Sequence, residues 1–283
     1  MLEKRWRVMR RHLPGKKGER SCKGLVKVAE ICSWLNSIAP FDTAESYDNV
    51  GLLIGSPEAE VSQVLFCLDI TEDVVREAVA QKVQLIISHH PLLFGGICRI
   101  DYTTVEGRVL CGLLEARLNV IAVHTNWDKA PGGVSDSLAK ALELQGIRPV
   151  DDCVKVGELQ KPLTASELES CVQSRLQAPL RRYGQTAEPI LRVAVGPGAC
   201  GDRACLAFQA GAQAFVVGEI CHHELLAACG QGLVVLEAGH FATEITGMMA
   251  LSQRFEEVAA KNLWQVRPLR YSKAPFWGAL QGT

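Results

Sequence analysis

The sequence lacks the features that mark secreted, membrane-spanning or repeat proteins. No apolar run reaches the 18 residues of a membrane-spanning helix, the first residues contain no apolar core of a secretory signal, and no short-period repeat is visible. The 11 cysteines are odd in number, and no two of them have C-x-x-C spacing. Several lie within apolar runs, which is typical of reduced, buried thiols and predicts a cytoplasmic protein.

Basic residues are scarce outside the first 24 positions. Nine of the 30 Lys and Arg residues lie in 1–24, so the remainder holds 21 basic and 29 acidic residues. Such an acidic body argues against a nucleic-acid partner or an anionic membrane. We expect 1–24 to be a poorly ordered basic extension, because patterned sequence begins only at Leu25. A basic arm, a transit peptide and a true start at Met9 or later are the alternatives.

Strand and helix patterns alternate along the chain. Short apolar runs such as "VLFCLDI" and "VQLIIS" predict buried strands, while "TEDVVREAVAQK" predicts a helix capped by Thr71. This alternation predicts an α/β protein with mainly parallel sheets flanked by helices. Two successive α/β halves that meet near 130–165 fit the length, and the final "WQVRPLRY" is a candidate strand of the first half.

Histidine is rare and unevenly distributed. Apart from His12, the six histidines fall into four short segments, and three of these segments follow directly on apolar strands. Open parallel sheets present functional groups at the carboxyl ends of their strands. Histidines at three strand ends therefore predict one shared site, and the residues concerned are His89, His90, His124 and His240.

Two carboxylates follow these histidines at close spacing. Asp128 lies four residues after His124, and Glu244 lies four residues after His240. If a helix begins at His240, its side chain and that of Glu244 lie one turn apart and can converge. Imidazole and carboxylate ligands suit zinc, iron, manganese, cobalt or nickel. The segments therefore predict a metal site.

The adjacency of His89 and His90 indicates how many ions the site holds. Neighbouring side chains diverge, so two consecutive histidines serve two ions better than one. A two-metal site of this kind clamps an activated water and a substrate oxygen. Two divalent ions carry more positive charge than two carboxylates neutralise, which favours a small anionic substrate such as a phosphate ester.

Four separated motifs resemble the Nif-three-like dinuclear metal-centre family, whose members are often labelled GTP cyclohydrolase type 2 homologues. In order, the motifs are "DNVGLLIG" (48–55), "SHHPLLF" (88–94), "HTNWDKAPGGVSD" (124–136) and "GHFATE" (239–244). The resemblance runs from about Leu25 to the C-terminus. It implies two similar α/β lobes with a metal cleft between them and assembly as a ring-shaped hexamer.

The resemblance also implies roles for single residues. His89, Asp128 and Glu244 would hold one divalent ion, and His90, His240 and the shared Glu244 would hold the other. His124 matches a residue of the family motif, and support of a metal ligand, activation of water and contact with the substrate are its alternative roles. It is the best candidate for a catalytic group.

The same resemblance suggests the limits of the lobes. We expect a first lobe of 25–130 plus 245–283 and a second lobe of 131–244. The connection 130–190 is too short for the inserted third domain of longer family members.

A glycine-rich loop supplies further candidates. "LRVAVGPGACGDRA" contains Gly196, Gly198 and Gly201 at the spacing of a dinucleotide-binding loop, and Glu219 follows the next strand. Pro197 removes one amide N–H from that loop, which argues against a nucleotide cofactor. The resemblance instead places a glycine-rich loop beside the metal cleft, where Gly196 and Gly198 are candidates to receive an anion on the substrate side.

A second histidine pair occurs in "GEICHHELLAA". His222 and His223 are candidates for the substrate side of the cleft. A surface pair at a helix N-terminus is the alternative explanation.

Two classes of function fit these observations. One is a metal-dependent hydrolase that acts on a nucleotide-like or phosphorylated small molecule, and the other is a metal-handling or scaffold protein. The family label suggests ring opening of GTP, although no residue independently indicates a purine pocket. We favour the enzyme.

Overall fold

The structure, a computed structural model, describes residues 25–274. The predicted basic extension 1–24 lies outside these described residues, as does 275–283. In chain order the strands are β1 (Val26–Lys27), β2 (Gly51–Ile54), β3 (Glu60–Val61), β4 (Gln63–Cys67), β5 (Leu85–Ser88), β6 (Asn119–Ala122), β7 (Gln145–Pro149), β8 (Lys155–Leu163), β9 (Arg181–Tyr183), β10 (Ile190–Gly196), β11 (Ala214–Val217), β12 (Val234–Glu237) and β13 (Arg267–Arg270). The α-helices are α1 (Val28–Ile38), α2 (Glu72–Ala80), α3 (Val105–Glu115), α4 (Thr125–Lys129), α5 (Val134–Ala141), α6 (Ala165–Leu176), α7 (Ala204–Gln209), α8 (His222–Gly230) and α9 (His240–Asn262).

The first large sheet has the strand order β13-β4-β5-β6-β2. Its first four strands run parallel, and β2 is antiparallel to β6. Cys67, Ser88 and Ala122 pair across β4, β5 and β6, so these three strands end level with one another. The final strand β13 joins this sheet beside β4, as the sequence pattern indicated.

The second large sheet has the order β7-β8-β10-β11-β12-β9. Its centre is again parallel, because β10, β11 and β12 run in one direction, and Gly196, Val217 and Glu237 pair across their ends. The flanking strands are antiparallel to their neighbours. Together with the short antiparallel pair β1–β3, the sheets confirm the predicted mixed α/β class.

Helices cover both faces of each large sheet. Apolar side chains of α1 and α9 pack on one face of the first sheet, and those of α2 and α3 pack on the other. In the second sheet, α5 and α6 cover one face and α7 and α8 the opposite face. Buried strands that are apolar on both sides are the expected result of such layers.

Helix ends follow the capping signals in the sequence. The Thr71 hydroxyl accepts a hydrogen bond from the Val74 amide at the start of α2. Thr164 and Glu167 form the reciprocal capping box at the start of α6. Such caps satisfy amides that have no partner within the helix.

Helix α9 connects the two large sheets. It begins at His240, directly after the turn that follows β12, and its side chains Met248, Leu251 and Phe255 are buried in the core against the first sheet. The helix therefore runs from the carboxyl end of β12 in the second sheet to a face of the first sheet. The lobe limits at 130/131 and 244/245 and the absence of a third domain stay predictions.

Two properties of the described residues bear on the chemistry. None of the helices within 25–274 has both the length and the apolar character that crossing a membrane requires. The ten cysteines in this range are free thiols.

Candidate metal centre

Glu244 lies at the centre of the polar cluster between the two large sheets. It lies in the second turn of α9 and is 5% exposed. Its Oε2 atom lies 3.1 Å from Nε2 of His90 and 3.1 Å from Nε2 of His240. Nε2 of His89 lies 3.8 Å from the same oxygen. One carboxylate oxygen thus faces three imidazoles.

Asp128 completes the cluster from the side of the first sheet. It lies on the short helix α4, which follows β6, and its Oδ1 atom lies 3.5 Å from Nε2 of His89. All five residues predicted as metal ligands (His89, His90, Asp128, His240 and Glu244) are therefore brought together in one connected group. His90, His240 and Glu244 each offer one atom within 4.8 Å of the others, as a metal ion requires.

The histidines are oriented by acceptors on their Nδ1 atoms. His89 Nδ1 donates to the Val123 carbonyl oxygen at 2.8 Å, and His90 Nδ1 lies 2.6 Å from Oδ1 of Asp69. His240 Nδ1 lies 3.3 Å from Oε1 of Glu219.

These partners determine which nitrogen carries the proton. A carbonyl or carboxylate oxygen can only accept, so the neutral imidazoles hold hydrogen on Nδ1 and leave the lone pair on Nε2. The Nε2 atoms of all three rings are those that face Glu244. Metal-binding histidines are typically fixed in this way by an oxygen on the opposite nitrogen.

Three buried atoms of the cluster lack a hydrogen-bond partner among the described residues. They are Nε2 of His89, Oδ1 of Asp128 and Oε2 of Glu244. A buried polar atom without a partner costs about 1–3 kcal/mol, and more when charged. A divalent cation would accept electron pairs from all three, so the donor set fits a metal ion.

Burial and neighbouring charges shift the pKa values of the cluster in different directions. Burial, followed by the charge of Glu244, raises the pKa of Asp128 well above its usual value. Burial alone would lower the pKa of His90, but Asp69 and Glu244 outweigh it and raise that pKa to about 10. Asp128 and His90 thus favour their protonated forms, whereas burial lowers the pKa of His89 to about 3.

His124 lies beside the same cluster. Its ring centroid is 5.1 Å from that of His89 and 5.4 Å from that of His90. Its Nδ1 donates to Oδ1 of Asp48 at 3.0 Å, while Oδ2 of Asp48 accepts from the amide and hydroxyl of Thr125. Burial opposes the ionisation of Asp48, yet the bonds from His124 and Thr125 hold its pKa below the usual range. His124 therefore presents Nε2 away from Asp48.

The cluster is closed on one side and open on the other. The side chain of His89 is fully buried, and that of Glu244 is 7% exposed. The side chains of His90 and His240 are 26% and 33% exposed. A small molecule can reach the second pair but not His89, which distinguishes this arrangement from a closed structural site.

The glycine-rich loop packs against this cluster of histidines and carboxylates. Gly198 has a φ of +60°, and a side chain there would overlap the Glu244 carboxylate. Its amide donates to Oγ1 of Thr243 at 3.1 Å and is therefore occupied. A side chain at Gly196 would overlap Phe215. Close packing explains the glycine spacing at both positions, and the anion contact predicted for Gly196 and Gly198 stays a prediction.

His222 and His223 lie apart from this cluster. Both are exposed at the start of α8, and among residues 25–274 neither side chain forms a hydrogen bond or an ion pair. They therefore match the alternative of a surface pair at a helix N-terminus, and a substrate contact for them stays a prediction.

Three carboxylates that contact the histidines had no assigned role in the sequence. Asp48 lies within the motif "DNVGLLIG", Asp69 lies within the run "VLFCLDI" two residues after the end of β4, and Glu219 matched the dinucleotide pattern. Position after a parallel strand is the signal that identifies Asp69 and Glu219, since both follow strands that end beside the histidines.

Comparisons with known sequences identify the family of the chain. The Duf34/NIF3 (NGG1p interacting factor 3) family matches residues 26–275. A Clostridium perfringens protein named GTP cyclohydrolase 1 type 2 homolog is 33% identical over 241 residues, which cover 82% of this chain and 92% of that protein. NIF3-like protein 1 of Drosophila melanogaster is 33% identical over 231 residues, or 77% of this chain and 78% of that protein.

Solved structures share the fold. The Staphylococcus aureus hypothetical protein SA1388 aligns with a TM-score of 0.84 and 28% identity over 90% of this chain and 100% of that one. A Bacillus cereus protein related to NIF3 aligns with a TM-score of 0.86 and 21% identity over 91% of this chain and all of that one, which shows the fold alone. The resemblance seen in the four motifs is confirmed, and the chain belongs to the Duf34/NIF3 family.

Proposed function

We propose that the protein is a dinuclear metal-dependent hydrolase that acts on a nucleotide-like or phosphorylated small molecule. One divalent ion would be held by His89, Asp128 and Glu244, and the other by His90, His240 and the shared Glu244. The observation that carries this proposal is the common direction of the Nε2 atoms, which face a carboxylate whose Oε2 atom has no other partner.

The protein's own groups supply orientation and proton handling. Two bound divalent ions would provide Lewis acidity toward an anionic substrate and lower the pKa of water. His124, held at Nδ1 by Asp48, presents Nε2 beside His89 and His90 and can take up a proton there. The buried wall around His89 excludes water from one side, so the substrate would enter beside His90 and His240.

A screen of phosphate esters, nucleotides and GTP with metal-loaded protein tests the proposal. We expect turnover of at least one class, and loss of about 10²–10⁴-fold in kcat for His124→Ala with metal content unchanged. Glu256→Gln is the control variant, because Glu256 lies on the exposed side of α9 and pairs with Arg270, so turnover should be unaffected.

Metal handling is the alternative that the same screen addresses. Uniform inactivity, combined with transfer of the ions to a metal-free acceptor protein, would contradict the hydrolase. The cytoplasmic location, the identity of the ions and the hexameric ring stay predictions, and light scattering of the purified protein tests the ring.

A further inference from the structure

Two exposed aromatic side chains lie at the open side of the metal cluster. Phe94 follows the histidine pair in the loop after β5, and its ring centroid is 6.1 Å from that of His124. Tyr47 lies in the loop before β2, with its ring 6.2 Å from that of Phe94. Tyr47 is 62% exposed and Phe94 50% exposed. Both rings thus have exposed surface, and Phe94 lies beside His124, which contacts the cluster.

The segment 47–49 ties these rings to the site. Three consecutive residues contact the site or the loop after β5: the Tyr47 ring contacts Phe94, Asp48 accepts from His124, and the Asn49 side-chain amide donates to the Leu93 carbonyl oxygen. The same backbone that orients His124 therefore also holds the loop that carries Phe94. Because the loop is already held in place, less conformational entropy is lost when a ligand packs on the rings.

We infer that Phe94 and Tyr47 form an aromatic wall that binds a planar ring of the substrate while its anionic group lies at the metal cluster. This inference rests on the proposed function and specifies its substrate class as a phosphorylated compound with an aromatic ring, such as a nucleotide. An exposed aromatic face stacks on bases regardless of their hydrogen-bonding pattern. The wall therefore selects for a ring next to a phosphate and leaves the identity of the ring open.

The chemistry beside the wall favours a small molecule over an apolar partner surface. The Phe94 ring adjoins the His124 imidazole, which donates to the Asp48 carboxylate next to Tyr47 in the chain. A ligand that covers both regions needs one planar apolar part and one anionic part.

Binding of a matched pair of ligands tests the inference without requiring turnover. Adenosine 5′-monophosphate and ribose 5-phosphate share the sugar and the phosphate and differ in the base. Calorimetry with metal-loaded protein should show about tenfold tighter binding of the nucleotide, the order expected for one stacked base. Phe94→Leu should remove most of this preference and leave the affinity for ribose 5-phosphate and the metal content unchanged.

Tyr102→Leu is the control variant. Tyr102 lies in the same loop and is 72% exposed, but no ring contact joins it to His124 among the described residues. It should keep the preference. Equal affinity for the two ligands in the unmodified protein, or an undiminished preference in Phe94→Leu, would overturn the wall and leave the hydrolase standing. Failure of both phosphates to bind would overturn both proposals, and a changed oligomeric state in Phe94→Leu with equal loss for both ligands would identify the rings as a subunit contact.

Discussion

The two large sheets contribute to one site in different ways. Each has three parallel strands that end level with one another beside the cluster. The ends of the first sheet are followed by donor side chains, namely Asp69, the pair His89 and His90, and His124. The ends of the second sheet are followed by glycines, namely Gly198, Gly218 and Gly239.

This difference shows what each sheet does for the metal ligands. The first sheet holds the donors themselves at fixed strand ends. The second sheet also contributes donors, because Glu219 and His240 each follow one of these glycines, and its Gly198 leaves room for the Glu244 carboxylate. A strand end that lacks side chains is therefore as much a part of the site as one that carries a ligand.

Removal of the shared carboxylate should have the largest effect. Glu244→Gln keeps the size of the side chain but removes the charge that three imidazoles face, so the protein should lose both ions. Metal analysis after dialysis measures this, with circular dichroism as the check on folding. Glu256→Gln, on the exposed side of the same helix, is the control and should keep both ions. Loss of only one ion would mean that Glu244 is not the bridge.

A methyl group at Gly198, which follows β10 of the second sheet, should have the next largest effect. Gly198→Ala places a Cβ against the Glu244 carboxylate and also strains a φ of +60°. Gly146→Ala strains a φ of +58° in open space and isolates the backbone cost, about 1–2 kcal/mol. We expect Gly198→Ala to lower Tm further than Gly146→Ala and to weaken metal binding, whereas equal behaviour of the two variants would contradict a role of this glycine in the site.

The outer carboxylates should have smaller and unequal effects. Asp69→Asn should weaken metal affinity about 10–100-fold, because the Asp69 carboxylate lies 2.6 Å from Nδ1 of His90 and orients that ring. Glu219→Gln should cost less, because Glu219 is 58% exposed and lies 3.3 Å from Nδ1 of His240. Competition with a chromophoric chelator measures the metal affinity of the two variants. A larger loss of affinity in Glu219→Gln than in Asp69→Asn would contradict the proposed order.

Metal binding should depend on pH through His90. The pKa of this imidazole is raised to about 10 without a metal, so at neutral pH an ion must displace its proton. The affinity for the metal should therefore fall about tenfold for each unit by which the pH is lowered, for each proton released. Calorimetry in two buffers of different ionisation enthalpy counts the released protons, and a release of none would contradict the assignment of His90 as a ligand.

The metal-free protein should show the opposite dependence. The folded pKa of His90 lies above its unfolded value of about 6.5, so its contribution to stability is complete below that pH. This contribution is lost as pH rises toward 10. Thermal unfolding of chelated protein between these limits measures the loss.

The sequence alone predicted the positions of site residues that directly follow apolar strands. His89 and His90 follow β5 without an intervening residue, and their position was predictable because strand ends in parallel sheets converge. His222 and His223 form the same dipeptide but begin a helix five residues beyond the end of β11. Adjacency of two histidines was therefore not the signal, whereas distance from the strand end was.

Contacts between distant segments were beyond the reach of the sequence pattern. Asp48 and His124 belong to different motifs, and only the pairing of β2 beside β6 brings their segments together. Gly198 matched a nucleotide-binding pattern because close packing against a carboxylate and close approach to a pyrophosphate both require a residue without a side chain. The local sequence cannot distinguish these two causes.

An anomalous-scattering experiment tests the central claim most directly. Crystals of manganese- or zinc-loaded protein should show two peaks about 3.5–4 Å apart, the separation of a bridged two-metal site. One peak should adjoin His89 and Asp128, the other should adjoin His90 and His240, and Glu244 should contact both. A single peak, or two peaks that do not share Glu244, would contradict the account.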